Sequence, residues 1–73
     1  MAIMVPDLHP QGISNDGERR FYQACSFLPD PFTVCYSYKY YDHEAGLQIL
    51  READFVIAHP ALGFVVVEVK QGL

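Results

Sequence analysis

The sequence has little positive charge and little cysteine. Of its 73 residues, five are lysine or arginine and nine are aspartate or glutamate, which gives a net charge of −4. This balance argues against a free-standing nucleic-acid-binding protein, which is usually basic. Bound metal ions would offset the carboxylates, however, and a fragment need not carry the charge of its parent protein. Two cysteines, Cys25 and Cys35, are too few for a disulfide framework or a zinc site and favour a reduced, cytoplasmic setting.

Long apolar runs are also missing. No run approaches the roughly 18 residues of a membrane span, and the apolar residues 1–6 carry no basic flank, so the sequence predicts neither a membrane segment nor a signal peptide. Hydrophobic residues nevertheless make up 51% of the chain and charged residues 19%, which is typical of a globular protein. A chain of this length forms one small domain at most, and such a domain buries only ~60% of its unfolded surface.

The first half of the chain predicts an irregular lead-in followed by a helix. Residues 1–14 contain Pro6, Pro10 and Gly12 and show no periodicity. Asn15 is a good helix N-cap, and Glu18 three residues later completes a capping-box pattern. The predicted helix ends at 29–31, where two prolines stand. Its apolar face follows helical spacing and consists of Phe21, Ala24, Cys25 and Leu28.

The second half predicts three strands. Residues 34–41 alternate, which places Val34, Tyr36, Tyr38 and Tyr40 on one face. Residues 51–59 and 64–70 form a hairpin around a short loop, whereas 47–51 is either a turn of helix or an extended lead into the hairpin. The simplest packing is one helix on a three-stranded antiparallel meander, an α+β fold.

The last strand is apolar at Val65, Val67 and Val69 on one face and at Phe64 and Val66 on the other. Strands of this kind belong to sheets that are covered on both sides. One helix covers only one side. We therefore expect an incomplete domain, or a homo-oligomer that forms through the exposed sheet edge or the apolar face.

Ionisable residues stand at the open end of the predicted hairpin, where the start of its first strand meets the end of its second. A loop at 59–63 makes Asp54 oppose Glu68, with Cβ atoms ~4.5–5.5 Å apart. Two carboxylates so close repel each other unless a cation lies between them, and oxygen ligands suit Mg²⁺ or Mn²⁺. Lys70 shares a face with Glu68 and could orient an attacking water. The alternative is a solvated strand end with an ordinary ion pair two residues apart.

The order of these elements resembles the PD-(D/E)XK nuclease superfamily. More specifically, it resembles the nuclease-related (NERD) domain found at the N-terminus of superfamily-1 DNA helicases. The resemblance covers nearly the whole chain and implies a truncated restriction-endonuclease-like core over residues 15–73, after the lead-in 1–14. It rests on Met4-Val5-Pro6, Gly17-Glu18-Arg19-Arg20, Glu52-Ala53-Asp54-Phe55-Val56-Ile57 and Val67-Glu68-Val69-Lys70.

The resemblance implies roles for the matching residues. Asp54 and Glu68 would bind Mg²⁺ or Mn²⁺, with the backbone carbonyl of Val69 as a third candidate ligand. Lys70 would position the attacking water, and Glu18 would be an auxiliary acid near the metal. The implied function is hydrolysis of DNA phosphodiester bonds, with DNA and a helicase region of a parent protein as partners. The alternatives are a non-catalytic DNA-binding or assembly module that keeps the acidic site, and a structural fragment without activity.

Overall fold

The computed structural model describes residues 1–70 and consists of one α-helix packed on a mixed four-stranded sheet. The predicted α+β class is therefore confirmed. In chain order the elements are β1 (Ile3–Val5), a 3₁₀ helix (Pro10–Gly12), α1 (Asp16–Cys25), β2 (Thr33–Glu44), β3 (Leu47–His59) and β4 (Gly63–Val67).

The sheet contains a strand that the sequence did not predict. Its strand order is β1-β2-β3-β4, and β1 lies parallel to β2, with Met4 opposite Val34. The N–H of Ile3 also donates to the carbonyl of Phe32 at 2.8 Å. The predictions of three antiparallel strands and of an irregular segment over 1–14 were wrong at this point, because a three-residue strand is too short to show periodicity.

One helical side chain anchors the segment that follows β1. The hydroxyl of Tyr22 donates to the carbonyl of Pro6 at 2.9 Å and accepts from the N–H of Leu8 at 2.8 Å. Tyr22 is buried, and such a phenol needs a hydrogen-bond partner. These two bonds supply it and at the same time satisfy backbone groups of the lead-in, which explains why that segment is ordered.

The helix begins as predicted and has a different inward face. The side chain of Asn15 accepts from the N–H of Glu18 at 2.9 Å, which confirms the N-cap. The helix ends at Cys25, before the prolines at 29–31. Ala24 is exposed rather than inward-facing, because the lead-in covers the opposite flank of the helix. The inward stripe follows positions i, i+3, i+4 and i+7 and consists of Glu18, Phe21, Tyr22 and Cys25.

The core lies between the helix and one face of the sheet. Phe55 at its centre is fully buried; its ring centroid lies 4.8 Å from that of Phe21 on the helix and 5.2 Å from that of Tyr36 on β2. Aromatic pairs at such distances contribute beyond the area they bury. The buried residues are Ala2, Ile13, Tyr22, Cys25, Val34, Ala53 and Phe55.

The hairpin has the predicted register. Ala58 lies opposite Phe64, and the ladder between β3 and β4 ends at the pair Phe55–Val67. Residues 47–51 are part of β3 rather than a turn of helix. The regular pairing of β4 stops at Val67, three residues before the predicted strand end.

The alternation of β2 breaks at Ser37, which has a φ of 57°. The ladder with β3 has no pair at Ser37 or at Asp54, which its register would place opposite each other. As a result Tyr38 and Tyr40 line the face that the helix leaves uncovered, and the prediction that they share a face with Tyr36 was wrong. A groove of about 520 Å³ on this face is lined by Cys35, Tyr38, Tyr40, Val56, Ala58, Phe64 and Val66.

Over residues 1–70, no helix has both the length and the apolar character that crossing a membrane requires.

Candidate metal centre

The predicted acidic residues meet where β4 leaves the sheet. Asp54 is the next position of β3 beyond the last ladder pair, and the same register carries it opposite Glu68. The N–H of Val69 donates to Oδ2 of Asp54 at 2.9 Å. A carboxylate thus takes the place of the backbone carbonyl that would continue a regular ladder. This bond holds the segment 68–70 against β3.

The pKa of the Glu68 carboxyl group depends on the other three predicted catalytic residues. Its pKa is raised, first by a hydrogen bond with Asp54, then by desolvation and by the negative charges of Asp54 and Glu18. The positive charge of Lys70 acts in the opposite direction and lowers this pKa. Because the contact with Asp54 is the largest of these causes, the two carboxyl groups lie next to each other. The structure therefore brings the four predicted catalytic residues into one patch.

Glu18 faces this patch instead of capping its own helix. Its Oε1 accepts the hydroxyl of Tyr36 at 2.8 Å, a bond that joins the first turn of α1 to β2. A complete capping box would instead direct the Glu18 carboxylate to the N–H of Asn15. Within residues 1–70 that reciprocal bond is not formed, so the capping-box prediction is only half right. The carboxylate is left on the inward face of the helix.

Tyr36 is a member of the patch that the sequence did not identify. Its pKa is raised to about 12, first by burial, then by the hydrogen bond and charge of Glu18, and last by the charges of Asp54 and Glu52. Its ring packs against Phe55. The sequence carried no clear signal for it, since only the observed pairing of β2 with β3 puts Tyr36 opposite Phe55, the residue after Asp54.

The ionisation of Tyr36 provides a direct test of this geometry. We expect its phenol to titrate near pH 12 rather than at its ordinary value of 10.0, and Glu18→Gln to lower that pKa because a neighbouring negative charge is removed. Phenolate absorbance over an alkaline titration measures both values, and Tyr36→Phe identifies the step. Since the pKa is raised on folding, the contribution of this phenol to stability is complete below pH 10 and is lost as the pH rises through about 12. An unchanged midpoint in Glu18→Gln would contradict the contact.

The donors of the patch suit a hard divalent cation. Asp54 and Glu68 provide carboxylate oxygens, and the negative charge of Asp54, which helps to raise the pKa of Glu68, is one that a cation would offset. No group of three or more His, Cys, Asp or Glu side chains within residues 1–70 is arranged to hold a metal ion. An ion at this point would therefore be held by two carboxylates, and water would complete its coordination shell. Mg²⁺ sites in proteins commonly keep several waters in this way. The Val69 carbonyl stays a predicted ligand, while the N–H of the same residue is held by Asp54.

The three arginines of residues 1–70 have acidic partners. Arg19 and Arg20 at the start of α1 both pair with Asp16, the second at 3.1 Å. Arg51 pairs with Asp42 at 3.1 Å and also with Glu44, at the far end of the β2–β3 hairpin. Lys70 has no carboxylate within 4.0 Å among the residues that the structure describes, and it is exposed. It is therefore the cation best placed to meet a ligand of this patch.

Compared with known proteins, the chain matches no family model, no curated protein and no solved structure. Its resemblance to the NERD domain of the PD-(D/E)XK nuclease superfamily accordingly stays a prediction that rests on the sequence motifs.

Proposed function

We propose that the chain is the N-terminal part of a nuclease-related domain with a restriction-endonuclease-like core, which hydrolyses DNA phosphodiester bonds with Mg²⁺ or Mn²⁺ in the cytoplasm. The observation that carries the proposal is the convergence of Asp54 and Glu68 at the end of the β3–β4 ladder, where the N–H of Val69 donates to Asp54. Lys70 follows Glu68 by two residues, and Tyr36 holds Glu18 on the inward face of the helix. Carboxylates brought together at the end of apolar strands repel each other, and a cation-dependent function gives a reason for the arrangement.

Each residue of the patch has a role in this chemistry. Asp54 and Glu68 hold the cation, which when bound lowers the pKa of a coordinated water and withdraws charge from the phosphoryl oxygens. Lys70 orients the attacking water and stabilises the negative charge that develops on the phosphate. The oxygen of that water would form a bond to phosphorus as the water loses a proton to solvent, and the bond from phosphorus to the leaving sugar oxygen would break, with that oxygen taking up a proton from solvent. Glu18 would accept hydrogen bonds from the water around the cation.

Two measurements on the unmutated chain test the proposal. Calorimetric titration with Mn²⁺ is expected to show saturable binding at one site, and supercoiled plasmid incubated with Mg²⁺ is expected to be nicked. Absence of Mn²⁺ binding would reject the proposed function. Binding without nicking would favour the alternative, a non-catalytic DNA-binding or assembly module that retains the acidic site.

A second proposal concerns assembly, because an edge of the sheet is both unpaired and apolar. β4 is an outer strand of the sheet, and its residues Phe64, Val65 and Val66 are 71%, 57% and 51% exposed. An exposed apolar edge favours pairing with another strand. We propose a second copy of this chain as that partner, joined through β4.

A charge placed on β4 is expected to prevent self-association. Val65→Lys would put an ammonium group at the pairing edge, where burial without a partner is costly. We expect at least about a tenfold weaker dimer by sedimentation equilibrium, since roughly 1.4 kcal/mol corresponds to that factor. Leu47→Lys is the matched control, because Leu47 is similarly exposed at the opposite end of the hairpin. A monomeric unmutated chain, or equal effects of both substitutions, would overturn the assembly proposal.

A further inference from the structure

The hydrogen bond between Tyr36 and Glu18 joins two elements that are 18 residues apart in sequence. The ring of Tyr36 is held in place by the core: it lies 5.2 Å from Phe55 and 6.1 Å from Tyr22, measured between ring centroids. A ring fixed in this way also fixes the position of its hydroxyl. The hydroxyl is therefore a rigid donor, and the more flexible glutamate side chain adapts to it.

Glu18 has two competing places for its carboxylate. One is the N–H of Asn15, which lies three residues earlier and would complete a capping box. The other is the patch beside Asp54 and Glu68, where its negative charge is repelled. The structure shows Glu18 bonded to Tyr36 rather than to Asn15, on the side where its charge acts on Glu68. A favourable contact must offset the repulsion, and the contact observed on that side is the hydroxyl of Tyr36.

We propose that Tyr36 is a positioning residue of the acidic patch, whose hydroxyl holds Glu18 toward Asp54 and Glu68 and away from the end of its own helix. The effect on cation binding rests on the proposed function, whereas the choice between the two arrangements does not. With Glu18 held there, the patch presents a third carboxylate that can accept hydrogen bonds from water around a cation. Without the hydroxyl, Glu18 is free to cap α1, and the patch keeps two.

The first test needs no metal. Tyr36→Phe removes only the hydroxyl, and Tyr38→Phe is the matched control, since Tyr38 is 46% exposed and stacks on Tyr40 away from Glu18. In Tyr36→Phe we expect the carboxyl ¹³C resonance of Glu18 to shift and the amide of Asn15 to exchange with solvent more slowly, because it gains an acceptor. Tyr38→Phe should change neither. Unchanged Glu18 and Asn15 signals in a folded Tyr36→Phe variant would overturn the inference.

The second test measures the consequence for a cation. We expect Tyr36→Phe to weaken Mn²⁺ binding roughly tenfold, as loss of a partner behind a ligand shell commonly does. In a Glu18→Ala background the same substitution should have no further effect, because the group it positions is absent. An additional loss in that background, or unaltered Mn²⁺ affinity in the single variant, would overturn the positioning role while leaving the proposed function standing. If the unmutated chain binds no Mn²⁺, the proposed function fails, and the metal-free signals alone decide which arrangement Tyr36 selects.

Discussion

Replacing Asp54 with asparagine is expected to weaken Mn²⁺ binding by at least about 100-fold, the upper end of what loss of a partner outside the ligand shell costs. The substitution removes one of two carboxylates on which a cation would depend, together with its charge. Asparagine keeps a side-chain oxygen that can accept the N–H of Val69, which Asp54 binds at 2.9 Å. The segment 68–70 should therefore stay in place, and calorimetry should report the loss of a ligand rather than the loss of the fold.

Asp42→Asn is the control for that substitution. Like Asp54, Asp42 is a half-buried aspartate in the sheet. It lies toward the far end of β2, however, and pairs with Arg51 at 3.1 Å. We expect it to leave Mn²⁺ affinity unchanged. Equal losses in both variants would mean that general negative charge attracts the cation, and would contradict a site at Asp54.

Replacing Phe55 with alanine is expected to remove most of the free energy of unfolding of this domain. A fully buried phenylalanine that becomes alanine costs about 3–5 kcal/mol, from lost burial and from the cavity left behind. Phe55 contacts both the helix and β2, through Phe21 and Tyr36, so the neighbours on two elements lose their packing partner. Small domains lie near the low end of the usual 5–15 kcal/mol of stability. Urea denaturation followed by circular dichroism measures the change.

Phe64→Ala tests how much the uncovered face of the sheet contributes to stability, compared with the core face that Phe55→Ala tests. Phe64 is 71% exposed on the uncovered side, so at low protein concentration its loss should change the stability of the monomer by less than about 0.5 kcal/mol. If the chain self-associates through β4, the cost should grow with protein concentration. A destabilisation as large as that of Phe55→Ala in the monomer would contradict the assignment of the helix-facing side as the core.

The features that local chemistry determines could be predicted from the sequence. Asn15 caps α1 because its side chain reaches an N–H three residues away, and the hairpin register follows from a short loop and strict alternation. The strand β1 could not be predicted, since its parallel pairing depends on β2, about 30 residues away. Nor could the break at Ser37, whose φ of 57° is unusual for a residue with a side chain.

The acidic patch likewise contains one contact that the sequence predicted and one that it did not. Parity along two paired strands was enough to bring Asp54 and Glu68 together, because both lie on one hairpin. The contact between Tyr36 and Glu18 needed the packing of a helix on the sheet, which alternation does not specify. Glu18 also had a complete local explanation as a capping residue. The local capping pattern therefore hid the contact of Glu18 with Tyr36. Among residues 1–70, the absence of the reciprocal capping bond reflects that contact.

The bond from Val69 to Asp54 has a consequence for how the patch responds to a ligand. The side chain of Val69 packs against the core, while its N–H depends on a carboxylate that is also a candidate ligand. Anything that pulls Asp54 away from this N–H loosens the segment 68–70, and anything that ties Asp54 to Glu68 tightens it. By thermodynamic reciprocity, tightening that segment must in turn strengthen the binding of whatever ties the two carboxylates. Local order in the chain after β4 and occupancy of the patch are therefore linked quantities, and the exchange rate of the Val69 amide reports on both.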